Sequence, residues 1–161
     1  SPTMISLILA GKVGSSIASE IGSMRVTEQI DALEIMGVNS ASFLIFPKII
    51  ASIFFFPLLV IMSMGIGMIG AWVGALSSDI TTSAFLSGLK YEFNSFYVNY
   101  AIIKTIFFAF IISSVSAYFG YYTKGGAIAV GKSSTQAVVS SSILILLFNY
   151  ILTDLILSWL K

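Results

Sequence analysis

The chain has no cysteine and no histidine among its 161 residues. These absences exclude a disulfide framework, thiol chemistry, a Cys/His zinc site and any imidazole acid-base pair, so most hydrolase machinery has no side chains to be built from. Charge is also scarce: charged residues make up 9% of the chain and hydrophobic ones 57%, whereas about a quarter of a soluble domain is charged. Eight basic and seven acidic residues leave a net charge of +1. That balance removes the basic excess a nucleic-acid binder needs and the self-repulsion that keeps a disordered chain open. Water is therefore not this protein's main solvent, no nucleic-acid partner is expected, and no cofactor is implied.

What is present is arranged in long uncharged runs. Between Lys48 and Asp79 stand 30 residues without a charge, about 45 Å of helix against a hydrocarbon core of roughly 30 Å. Pro57, Gly65, Gly67, Gly70 and Gly74 lie inside it and predict a tilted or kinked span. A second run, from Lys104 to Lys124, is bracketed by Tyr97 and Tyr100 on one side and Tyr118, Phe119, Tyr121 and Tyr122 on the other, as interfacial belts would be. The third, from Lys132 to Asp154, stays apolar through Leu155, Ile156, Leu157, Trp159 and Leu160.

The stretch from Met4 to Met24 is interrupted by Lys12 and Glu20, yet Ala10, Gly14, Ala18 and Gly22 recur every four residues. Such spacing lays a smooth stripe along one helix face, where another backbone can approach closely. Gly70, Gly74 and Ser78 repeat the pattern over a shorter length. The fold class predicted is all-α, a single-domain polytopic membrane protein with membrane helices over 3–24, 47–77, 100–122 and 133–160. A short polar helix over 25–37 joins the first two, and the segment 79–99, with Phe85, Leu86, Leu89, Phe93 and Phe96, lies in the outer interface. Arg25, Lys48, Lys124 and Lys132 share one side; Lys90, Lys104 and Lys161 share the other, which slightly favours the first side as cytoplasmic. Opening on Ser1 and Pro2 without an initiator methionine or signal peptide, the chain reads as a fragment lacking an N-terminal part.

Residues 20–40 form a polar island that holds Glu20, Arg25, Glu28, Asp31 and Glu34. Val26, Ile30 and Leu33 follow helical spacing on one side and Glu28, Asp31 and Glu34 on another, which predicts a short amphipathic helix. Gly37 suits the position that ends it, and Asn39 or Ser40 can cap the helix that follows through Pro47. Three acids on one face can dock into a basic groove of a partner or form a solvated face; a carboxylate metal site without histidine is a remote third reading.

Three further features carry candidate chemistry. Gly126, Gly131, Lys132 and Ser133 satisfy the G-x-x-x-x-G-K-S pattern of a phosphate-binding loop, which works only between a strand and a helix N-terminus. An aromatic-ended span precedes it here, so the expectation is a flexible connector that sets Lys124 and Lys132 among headgroups. Lys104 is either an anchor snorkelling to the interface or a cavity-facing partner for a lipid phosphate. Lys90 and Glu92 face water or a partner, and Asp154 can cap, pair with Lys161 or meet a partner.

The run Ala10-Gly11-Lys12-Val13-Gly14, continued by Ala18-Ser19-Glu20-Ile21-Gly22-Ser23-Met24-Arg25-Val26-Thr27-Glu28-Gln29-Ile30-Asp31-Ala32-Leu33-Glu34-Ile35-Met36-Gly37, resembles the signature of MlaE-type permeases. These are the membrane subunits of ABC transporters that move phospholipids between bacterial membranes, with relatives in plastid envelopes. Gly125-Gly126-Ala127, Gly131, Ser134-Thr135, Ala137-Val138-Val139 and Tyr150-Ile151-Leu152-Thr153 resemble the family's C-terminal pattern. The resemblance implies a non-catalytic permease in the cell inner membrane that maintains lipid asymmetry. Its implied partners are a separate ABC ATPase subunit, a second permease copy, a periplasmic MCE-type lipid-binding subunit and phospholipid. It also implies that Glu20, Arg25, Glu28, Asp31 and Glu34 belong to the segment that couples to the ATPase. Asn149 departs from the pattern, standing where many members carry Asp. The competing class is a secondary transporter or channel without an ATPase, which would place paired acids or broken helices at mid-membrane. A purely structural membrane anchor would have no need of the acidic island.

Overall fold

The computed structural model describes residues 1–78 and 80–159, and among them only helices and the turns between them occur. Helix α1 spans Pro2–Val26, α2 Gln29–Ile35, α3 Ser40–Leu76, α4 Thr82–Glu92, α5 Ser95–Tyr121 and α6 Ala127–Ser158. Helices α1, α3, α5 and α6 are long and apolar enough to cross a membrane, which agrees with the expected all-α, four-span class. Asp79, Leu160 and Lys161 lie outside the described residues, and with them the expected pairing of Asp154 with Lys161.

Helix α5 is the centre of the bundle and touches α1, α3 and α6. It can do so because its buried positions are mostly small or hydroxylated: Ala101, Thr105, Ala109, Ser113, Ser116, Ala117 and Gly120. Between helices surrounded by lipid, close backbone approach and dispersion replace the hydrophobic drive, so small residues belong at crossings. The tightest approach is at Gly120, where an added Cβ would stand 2.7 Å from the Ala18 carbonyl oxygen. A Cβ on Gly14 would meet Ser116 Oγ at 2.9 Å, and one on Gly22 would meet Thr123 Oγ1 at 3.2 Å. The stripe Ala10, Gly14, Ala18 and Gly22 is thus the buried seam of α1. Gly70 and Gly74 have nothing within 4 Å of the same added Cβ, so the shorter repeat on α3 makes no crossing with the described residues. The larger core side chains, Phe56, Phe108, Ile112 and Ile145, fill the space around this seam.

Four elements depart from the sequence reading. Helix α5 begins at Ser95 rather than at 100, so Phe96 and Tyr97 belong to it and not to the segment before it. The polar helix begins at Gln29 rather than at 25, because Glu28 adopts a left-handed conformation (φ 61°) that breaks the chain direction between α1 and α2. Helix α3 starts at Ser40, capped by Asn39 Oδ1, which accepts from the Ser42 N–H at 3.3 Å, and it runs continuously through Pro47 and Pro57. Helix α6 begins at Ala127, so Gly131 and Lys132 lie inside a helix rather than in a connector. Apolar residues just after Gly126 continue the helical pattern, and Thr123 Oγ1 donates to Ser133 Oγ at 2.8 Å, tying the turn to the helix. Among the described residues no strand leads into the glycines. The phosphate-loop geometry is therefore not formed.

Within α1, Ala10–Gly14 forms a π-turn. Such a turn widens the helix locally and leaves carbonyls poorly served; the Ser15 hydroxyl donates to the Gly11 and Lys12 carbonyls and serves both.

Candidate functional site

Polar side chains gather at the two ends of the bundle. At the first end the short helix α2 is positioned by one apolar anchor and a set of polar ties. Ile30, fully buried, packs with Ile17, Ile21 and Ala117, so α2 lies across the ends of α1 and α5. Its C-terminus closes as a Schellman motif: the Val38 N–H donates to Leu33 O at 3.1 Å and the Gly37 N–H to Glu34 O at 3.0 Å, with Gly37 at φ 78°.

The island's charges divide by task. Glu20 accepts from Lys48 Nζ at 2.6 Å, joining α1 to α3. Arg25 reaches Asp31 at 3.2 Å and stacks its guanidinium over the Tyr121 ring at 5.1 Å. Glu34 Oε1 accepts from the Tyr121 hydroxyl and from Ser40 Oγ, each at 3.0 Å. These contacts fasten α2 to α1, α3 and α5. Glu28 is exposed and takes part in neither of the ion pairs present among the described residues. Beyond it the tip of α2 presents Ile35, 87% exposed, and Met36, 69% exposed. The contacts of Tyr121 and Ser40 with Glu34, and the apolar tip, escaped the sequence reading. Tyr121 read as an interfacial belt residue, and no local signal links it to Glu34, 87 positions away.

At the opposite end, Lys104 is 4% exposed and lies between helices rather than reaching for the interface. Its Nζ donates to Asn149 Oδ1 at 2.7 Å and to Thr153 Oγ1 at 2.8 Å, and it stands 4.8 Å from the centre of the Tyr100 ring. Asn149 Oδ1 also accepts from Thr3 Oγ1 at 2.8 Å, and the Tyr100 hydroxyl donates to Thr153 Oγ1 at 3.0 Å. The network joins α1, α5 and α6. The acceptors of the ammonium are neutral oxygens, and Lys104 takes part in neither ion pair among the described residues. Among the described residues no group of three acidic side chains could hold a metal ion.

An all-helical bundle with four membrane-length helices, a short polar helix clamped across one end and a buried cation at the other is a multi-pass membrane protein. The family described as Permease MlaE matches residues 1–155, and the chain belongs to that family. It is 45% identical over 155 residues to a probable ABC transporter permease protein of Rickettsia bellii, covering 96% of this chain and 60% of that protein. A probable ABC transporter permease protein of Pyropia yezoensis is 38% identical, over 99% of this chain and 59% of the relative. The chloroplastic protein TRIGALACTOSYLDIACYLGLYCEROL 1 of Arabidopsis thaliana is 36% identical, over 96% of this chain and 44% of its own length. The chain spans about three fifths of the length of the Rickettsia bellii and Pyropia yezoensis relatives.

Proposed function

We propose that this chain is part of the permease subunit of an ABC transporter that moves phospholipids between membranes of the cell envelope, from the inner membrane, driven by a separate ATPase. A second permease copy and an MCE-type lipid-binding subunit complete the assembly. The observation that carries the reading is the build of α2. It is a short helix outside the apolar spans, tied to three of the four long helices, so a push on it reaches α1, α3 and α5 together. Movement of a rigid element at one end can then shift the bundle between alternative packings.

Glu20, Arg25, Asp31 and Glu34 hold the lever in place, while Ile35 and Met36 enter a cleft on the ATPase with Glu28 on the rim. Buried apolar anchors with a charged rim are the usual division of labour in protein contacts. At the far end, Lys104 receives the phosphate of a lipid when α5 and α6 separate, exchanging the neutral oxygens of Asn149 and Thr153 for an anionic one. A channel or secondary transporter has less support. Glu28, Asp31 and Glu34 all lie in the island, and the buried intramembrane ion Lys104 has no acidic partner among the described residues.

Co-purification of the full-length protein with its ATPase tests the lever. Ile35→Asp with Met36→Asp should release the ATPase while leaving the thermal midpoint unchanged, since both side chains are exposed, and Glu28→Lys should weaken binding more modestly. Full retention of the ATPase by the double variant would overturn the reading.

A further inference from the structure

Helix α1 is irregular at one place, and its contacts show what the irregularity does. Near one end Thr3 Oγ1 donates to Asn149 of α6 at 2.8 Å; near the other a Cβ on Gly22 would stand 3.4 Å from Val130 Cγ1, also of α6. Gly22 lies 19 residues after Thr3, about 5.3 turns of uninterrupted α-helix, which would set the two about 100° apart around the axis. The π-turn at Ala10–Gly14 absorbs one residue, leaves about five whole turns and brings both onto the α6 side. Without it the first half of α1, Pro2–Leu9, would lose its register with α6 while the second half, Ser15–Val26, kept its own.

Three buried hydroxyls without a partner among the described residues lie along this stretch: Ser6, Ser116 and Ser141. Ser116 Oγ is the atom that a Cβ on Gly14 would meet, so it stands against the turn. Because Thr3 faces Asn149 and Gly22 faces Val130, α1 and α6 run antiparallel and Ser141 stands level with Gly11. A buried hydroxyl without a partner is costly, more so in lipid, where no water is at hand. A helix that exchanges i→i+5 hydrogen bonds for i→i+4 ones frees carbonyl oxygens during the change, and serine hydroxyls can donate to them. The Ser15 hydroxyl already serves the Gly11 and Lys12 carbonyls in this way.

We propose that the π-turn is a joint through which α2 controls the grip on Lys104. A π-turn is wider and shorter than an α-turn, so tension on α1 from α2, which follows it directly, draws the turn into α-helix. The second half is wedged, with Gly120 against Ala18, and the first half turns. Thr3 then leaves Asn149, Ser6 leaves its partnerless place, and Ser116 and Ser141 donate to carbonyls of the turn. Asn149, released from α1, holds Lys104 without support from that helix. The proposal rests on the reading of α2 as the ATPase lever and adds the element that carries its motion to the far end.

The full-length permease, assembled with its ATPase in vesicles and with any cysteine elsewhere replaced, provides the test. Spin labels at Met4→Cys and Tyr150→Cys, both exposed and each beside one partner of the Thr3–Asn149 bond, read the first half against α6. Labels at Ser23→Cys and Lys132→Cys, also exposed, read the second half. With a non-hydrolysable ATP analogue the first pair should move by up to about 8 Å, the displacement of a side chain about 5–6 Å from the axis through about 100°, and the second by much less. Deleting Gly11, on which an added Cβ would meet nothing within 4 Å, removes the residue that the turn absorbs and keeps both halves in register on a plain α-helix. The ATPase should stay bound, the first pair should stop responding to the analogue, and ATP-driven lipid transfer should be lost. Where the deletion fails to assemble, Ser15→Ala takes its place. With the donor to the Gly11 and Lys12 carbonyls gone, the first pair should shift toward its analogue-bound distance without nucleotide. First-pair distances that ignore the analogue while ATP is hydrolysed, equal shifts of both pairs, no response to Ser15→Ala, or lipid transfer that survives the deletion would overturn the joint and leave the permease reading standing. A shift confined to the first pair in a complex that transfers no lipid would support the joint and overturn the phospholipid reading.

Discussion

Single atoms decide how close the helices come. At Gly120 a methyl group would press on the Ala18 carbonyl oxygen at 2.7 Å and on Ile21 Cβ at 3.0 Å, both held by the backbone of α1. Gly120→Ala should therefore force α1 and α5 apart and cost about 1–3 kcal/mol, read as a lower midpoint of thermal unfolding in detergent. Gly70→Ala meets no atom within 4 Å and replaces a poor helix former with the best one, so its midpoint should hold or rise, by up to about 1 kcal/mol. The spacing Ala10, Gly14, Ala18, Gly22 and the spacing Gly70, Gly74, Ser78 look alike in one dimension. Only the partner backbone distinguishes them: α5 faces the first, and nothing described in this chain faces the second.

At the level of the element, α2 shows which signals are local. Its end was legible, because Gly37 is followed by Asn39, a helix stop and a helix cap in close succession, and both act over a few residues. Its start was not: Glu is a good helix former, and a left-handed Glu28 has no marker in composition or spacing. Placing an alanine at position 37, where φ is 78°, should cost about 1 kcal/mol. Hydrogen exchange should then speed up at the Gly37 and Val38 amides, which close the motif, more than in α3. If protection there is unchanged, the motif does not hold the lever's end. The start of α6 was missed for a related reason, since a glycine pair reads as a break whether the helix begins directly after it or six residues later.

Across the whole molecule, the Lys104 network ties three helices at the end opposite α2. Lys104→Met keeps most of the stem's volume and removes the buried charge. Asn149 still accepts from Thr3, and Thr153 still accepts from Tyr100. Exchanging a buried ion for an apolar side chain of similar size is often neutral or stabilising, so the fold should survive with an unchanged or higher midpoint. Phospholipid retained by the purified complex, measured by mass spectrometry, should nevertheless fall about tenfold if the ammonium holds a phosphate. Unchanged lipid content would leave Lys104 as a structural tie alone.

The sequence by itself determined the class of this protein: helical, membrane-embedded, with four spans and a polar helix between the first two. Those properties follow from runs of uncharged residues and from short-range spacing, which act along the chain and need no partner to be read. Tertiary structure alone decided what each polar group does. Glu34 meets Tyr121, Lys48 neutralises Glu20, and Lys104 turns to Asn149 rather than to the interface, because a hydrogen bond or ion pair depends on distances of about 3 Å between helices far apart in sequence. Such distances are set by how closely small residues let the backbones approach, and one charge placed on the far side of a crossing changes role without any change in its neighbours along the chain.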